Sequence, residues 1–199
     1  SKVSYFLLLV ISLPIMINVD TILELWLVSV PEHTAVFSRL ILCFFLIEAL
    51  SAPLWMFVQA TGKIKNYQIL MGCLISLNFP LAYLVLKVGM PVYYVWMVRI
   101  FVNAFVLVVR CLYIKNKYAF PLGTYFGKVM LPVIFVTIIA APLSFLVRNV
   151  IPGYWSQFVI SCLTAVIITI FAICLFGLNK NERGYVIDMV KSKIKHGHG

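Results

Sequence analysis

The sequence predicts an all-α polytopic membrane protein, a transmembrane helix bundle of about six spans, and three observations carry that expectation. Hydrophobic residues fill 63% of the 199 positions and charged residues 11%. A soluble domain carries roughly 25% charged residues, so a soluble core cannot absorb this much apolar sequence. The apolar residues also come in stretches that match the roughly 20 residues needed to cross a bilayer. They show no period-two alternation, which excludes the strands of a transmembrane barrel and leaves the helix.

Residues 3–19 form the first expected span, interrupted by Pro14, a residue that membrane helices tolerate when neighbours or water satisfy the freed carbonyl. Residues 20–27 mix acidic with apolar side chains ahead of Pro31, Glu32 and His33. They predict an interfacial half-helix with Trp26 at headgroup level. The second span is 34–60, closed by the short basic turn 61–65. The third, 67–86, holds Asn78 and Pro80 and ends in the turn 87–91. The fourth, 92–114, carries Arg99, Asn103 and Arg110. A loop with Lys115, Lys117, Pro121 and Gly123 leads to the fifth, 128–147, which contains Pro132 and Pro142. A turn over 148–155 precedes the sixth, 157–178. The prolines are expected to break four of the six spans, an arrangement that suits a transporter without proving one.

Residues 1–178 thus make one helical lobe, and 179–199 form a basic tail. In that tail Tyr185, Ile187, Met189, Val190 and Ile194 interleave with Lys191, Lys193 and Lys195. The tail is open to two readings, a segment lying on an anionic membrane surface or a frayed, solvated end. The chain begins at Ser1 with no signal-peptide cleavage pattern behind its first apolar segment, so it is expected to be a piece of a longer protein.

The formal charge of +10 does not point to nucleic acid, because the charges sit in particular loops and not on one soluble face. With the first residue cytoplasmic, twelve Lys and Arg fall on the cytoplasmic side: Lys2, Lys63, Lys65, Arg110, Lys115, Lys117, Lys128, Lys180, Arg183, Lys191, Lys193 and Lys195. Only Lys87 and Arg148 fall outside, beside the acids Asp20, Glu24 and Glu32. That bias predicts cytoplasmic ends at both termini and an even number of spans. The five cysteines have no metal or redox spacing and read as small buried hydrophobes. No phosphate loop, zinc-spaced histidine pair or carboxylate cluster is present, so no enzyme and no resident cofactor is expected. His196 and His198 lie in the tail, where a chance pair is the simpler reading than a metal site.

The candidate functional residues are Arg39, Glu48, Gln59, Arg99 and Asn103, because ionisable and polar groups inside a span are costly and usually have a purpose. At about 1.5 Å per residue, Arg39 and Arg99 both lie roughly 8–12 Å below the outer surface and could form one cationic patch. Arg99, Asn103 and Arg110 share a face of the fourth span, and Glu48, Ala52, Trp55 and Gln59 share a face of the second. Arg39 stands nearly opposite Glu48 on the same helix. Arg39 either snorkels to outer headgroups or lines a cavity. Arg110, close to the cytoplasmic end, reads as a positive-inside anchor. Glu48 either pairs with a buried partner such as Arg99 or serves substrate or ion coupling. Asn78, Asn103 and Gln59 also fit the plainer role of interhelical hydrogen-bond glue.

Three runs carry a family resemblance: Phe37-Ser38-Arg39-Leu40, then Leu50-Ser51-Ala52-Pro53-Leu54-Trp55, then Gln59-Ala60-Thr61-Gly62-Lys63-Ile64-Lys65-Asn66-Tyr67-Gln68. The segment Ile22-Leu23-Glu24-Leu25-Trp26-Leu27 with Pro31, and Asn78, Pro80, Leu81, Tyr83 and Leu84, fit beside them. Over about residues 15–115 the chain resembles polysaccharide biosynthesis proteins, the O-antigen (Wzx-like) flippases of the multidrug/oligosaccharidyl-lipid/polysaccharide (MOP) exporter superfamily. The resemblance implies one lobe, the C-terminal one, of a protein with two pseudo-symmetric lobes around a partly cationic cavity. It implies a bacterial inner-membrane protein that carries a polyprenyl-pyrophosphate-linked oligosaccharide to the outer leaflet by alternating access. Cavity arginines would hold the pyrophosphate, and a coupling ion, H+ or Na+, would drive some members. The expected partners are the bilayer, that lipid-linked substrate and the N-terminal lobe. Alternatives are a multidrug or small-molecule exporter of the same superfamily, a membrane glycan polymerase or ligase, and a purely structural subunit.

Overall fold

A computed structural model describes residues 2–62, 64–118, 121–151 and 153–177. Among them the protein is all-α, with helices α1 Lys2–Trp26, α2 Thr34–Ala60, α3 Lys65–Ser76, α4 Asn78–Lys87, α5 Tyr93–Tyr118, α6 Leu122–Tyr125, α7 Leu131–Val150 and α8 Tyr154–Ala172. π-Helical turns fill Phe126–Met130 and Ile173–Gly177. Five stretches are long and apolar enough to cross a membrane: Thr34–Ala60, Lys65–Lys87, Tyr93–Tyr118, Leu122–Val150 and Tyr154–Gly177. The expected six spans are reached only when the two bent arms of α1 are taken as one. This is a multi-pass helical membrane bundle.

The first span differs from its expected shape. Helix α1 continues past residue 19 to Trp26, and it bends by 72° between Lys2–Ile17 and Val19–Trp26. The break lies at Asn18 (φ −104°, ψ 18°) and not at Pro14, which stays inside the helix. Proline costs one backbone bond, whereas Asn18 offers the backbone a competing partner, its Nδ2 donating to the Pro14 carbonyl at 3.1 Å. Ser161 and Cys162 of α8 hold that side chain in place. The outer arm bears Trp26, 81% exposed. Turned so far from a crossing arm, it suits the interfacial half-helix expected there.

Helix α2 matches its expected bounds and runs unbroken through Pro53, as α7 does through Pro142. Gly62, at φ 72°, closes α2 in the left-handed conformation that few other residues adopt cheaply. The third span is interrupted at Leu77, where Pro80 has no N–H for the Ser76 carbonyl. Asn78 donates to Ile75 of its own segment and is not interhelical glue. Before α7, Pro132 likewise has no N–H for the Lys128 carbonyl. The chain slips to five-residue spacing, with the Leu131 N–H on Phe126, and the fifth span starts at Leu122, earlier than expected.

Helix α1 packs on α2, α7 and α8, while α5 joins α2 to α3 and α4. Helices α7 and α8 bury small residues: Ala140 and Ser144 on α7, and Ser161, Ala165 and Thr169 four apart on α8. Without a hydrophobic drive between helices in lipid, such residues bring backbones close enough for dispersion to act. The basic tail 179–199 and its two histidines lie outside the described residues.

Candidate functional site

Two polar groups of residues sit inside the bundle, and helix α2 separates them. On one side, α5 turns the expected face toward α2. Asn103 Nδ2 donates to Glu48 Oε2 at 3.2 Å, and Arg110 donates to both the Ser51 hydroxyl at 2.6 Å and the Ser51 carbonyl at 2.9 Å. The Glu48 partner is therefore Asn103 and not Arg99. Arg99 instead lies against the rings of Phe44 and Trp96, with its guanidinium carbon 4.8 and 4.9 Å from their centroids. It borders a small cavity of about 330 Å³ with Asn78 and Phe79.

Arg110 corrects the anchor reading. It is 6% exposed, bonded to Ser51 and 6.0 Å from the Tyr67 ring. Its position near a helix end suggested water, but α2 and α3 close over it. The Arg110 Nε and the Tyr67 hydroxyl are both buried there without a hydrogen-bond partner. Gln59, in contrast, is exposed at the C-terminal end of α2. It lies about 16 Å along the helix from Glu48 and shares no site with it.

On the other side of α2, the bend of α1 meets α7 around a cavity of about 820 Å³. Leu9, Leu13, Leu46, Ala141 and Phe145 are among its apolar wall residues, and Asp20, Arg39 and Arg148 supply its charges. Arg39 donates to Asp20 Oδ2 at 2.6 Å and through Nε to the Met16 carbonyl at 3.1 Å. Its guanidinium is thus engaged by groups of α1. Arg148 donates to the Ile17 carbonyl, while its own carbonyl accepts from Gln157 at 2.9 Å. Arg148, read from sequence as part of an outer turn, is a wall residue of this cavity. Its single sequence signal was a lone cation beside a helix end.

Arg39 and Arg99 do not form one cationic patch. Arg39 borders the cavity at α1 and α7, and Arg99 the one at α4. The cysteines also depart from expectation, since Cys73 and Cys174 are exposed on the bundle surface and the other three are partly buried. No group of three His, Cys, Asp or Glu side chains is placed to hold a metal ion among the described residues.

The fold and this geometry define a class, a multi-pass α-helical membrane protein with an amphipathic cavity. Comparisons with family models, with curated proteins and with solved structures return no match. The likeness to the flippases rests on the residues quoted above.

Proposed function

We propose that this chain is one lobe of a transporter that flips a lipid-linked oligosaccharide across the bacterial inner membrane, with both chain ends cytoplasmic and a second lobe completing the path. One observation supports the reading above others. The 820 Å³ cavity joins an apolar wall to two guanidiniums, those of Arg39 and Arg148. Such a site suits an amphiphile whose phosphate accepts charge-assisted hydrogen bonds while its hydrocarbon stays among apolar side chains. A small-molecule exporter of cations would want spare acid in the cavity, and the carboxylate of Asp20 is engaged by Arg39.

Glu48 and Asn103 belong to a different place in this scheme. Their bond ties α2 to α5. The test is deletion of the full-length gene in its host, followed by extraction of polyprenyl-linked oligosaccharides. Accumulation of complete repeat units on the cytoplasmic side, with loss of surface polymer, is the expected result. Normal surface glycan with altered drug sensitivity would replace this reading by the small-molecule exporter.

A further inference from the structure

The inner arm of α1 ends inside the bundle, at Ile17. A helix end leaves its last four carbonyls without intrahelical donors and carries a partial negative charge. Three of those four are taken by side chains. Asn18 donates to Pro14, Arg39 to Met16, and Arg148 to Ile17. Two of these donors come from other helices, α2 and α7, so the bend is held from outside α1. Both arginines also line the cavity. The groups able to bind an anion there are therefore the groups that cap the bend.

That double duty sets up a competition. An anion that draws in both guanidiniums removes the caps from Met16 and Ile17, and an uncapped carbonyl away from water is costly. The replacement donors nearest in sequence are the N–H groups of Asp20 and Thr21, four residues on, which come into line when the helix straightens. Asp20 adds to the competition, because its carboxylate shares Arg39 with the incoming anion. Asn18 can follow, since its side chain is held by a single hydroxyl, a thiol and a carbonyl.

We propose that Arg39 and Arg148 form one binding site for the phosphate of an anionic amphiphile, and that filling it straightens α1 at Asn18. This deepens the transport reading and rests on it. The site gains a way to report occupancy to the outer arm, Val19–Trp26, through a change of helix shape.

The test uses the full-length protein in lipid nanodiscs, with spin-labelled unnatural amino acids replacing Leu7 and Leu25, which are 63% and 48% exposed on the two arms. Helical rise places these positions about 22 Å apart across the 72° bend and about 27 Å apart in a straight helix. Farnesyl pyrophosphate, as probe, should lengthen the separation by about 5 Å. Inorganic pyrophosphate alone producing the same shift would support the site with a free anion as occupant. Arg148→Gln, which loses the charge and the reach, should weaken binding at least roughly tenfold and lengthen the separation before any ligand is added, whereas Arg148→Lys, which keeps a charged donor on a longer stem, should hold the bend. Binding without any change in separation overturns the hinge and leaves the transport reading standing. Absence of binding, or binding unaffected by Arg148→Gln, overturns the site itself. The extracted glycolipids judge the transport reading independently.

Discussion

Arg110 is the side chain whose position most changes the picture of this chain. A guanidinium buried among α2, α3 and α5 must be satisfied, and Ser51 gives it both a hydroxyl and a carbonyl. Ser51→Ala keeps the carbonyl and should lower stability in detergent by about 1 kcal/mol, read from thermal unfolding. Arg110→Ala should cost more, about 2–4 kcal/mol, because it also leaves a cavity beside Tyr67. In the same seam, Asn103→Val removes the donor to Glu48, and Glu48→Gln should restore most of the lost stability by removing the charge left alone. Failure of that rescue would mean the carboxylate is satisfied by something other than Asn103. The sequence made the position of each arginine along its helix legible, because that follows from counting residues. It could not give azimuth. Whether Arg39 and Arg99 meet depends on which neighbour each helix face is packed against, and Arg148 became visible only when α7 was placed beside the end of the inner arm of α1.

At the scale of elements, three departures from regular helix have a local cause. Asn18, Pro80 and Pro132 each disturb the backbone ladder near them, and the chain answers with a bend, a break at Leu77 and a π turn. The prolines were legible in the sequence, and they marked the last two sites. They misled at Pro14, Pro53 and Pro142, where neighbouring helices hold the helix together. The Asn18 bend was not legible, since it depends on Ser161 and Cys162, more than 140 residues away in sequence. Close approach between elements also sets a testable limit. A Cβ on Gly177 would stand 2.8 Å from the Phe6 ring, so Gly177→Ala should push α1 from the end of α8. The expected loss is about 1–3 kcal/mol of thermal stability, and Phe6→Leu should recover part of it. A neutral Gly177→Ala variant would show that this contact is loose.

At the scale of the whole molecule, hydropathy alone carried the class, because lipid requires every backbone bond to be made within a helix. Orientation is the next property to check. If Lys65 is cytoplasmic and Val28 external, Lys65→Cys should react with a membrane-impermeant thiol reagent only in inverted vesicles, and Val28→Cys only in intact spheroplasts. The reverse pattern would turn the proposed transport direction around. The most direct measurement is of transport itself, in proteoliposomes of the full-length protein loaded with a fluorescent lipid-linked oligosaccharide on one leaflet. Wild-type protein should move the lipid between leaflets, and Arg148→Gln should slow that movement roughly tenfold or more, the cost of losing one charge-assisted contact to the phosphate. Arg99→Gln should leave the rate within about a factor of three, since Arg99 lies on the other side of α2. No movement by the wild type, or equal movement by wild type and Arg148→Gln, would contradict the assignment of the cavity at α1, α2 and α7 as the substrate path.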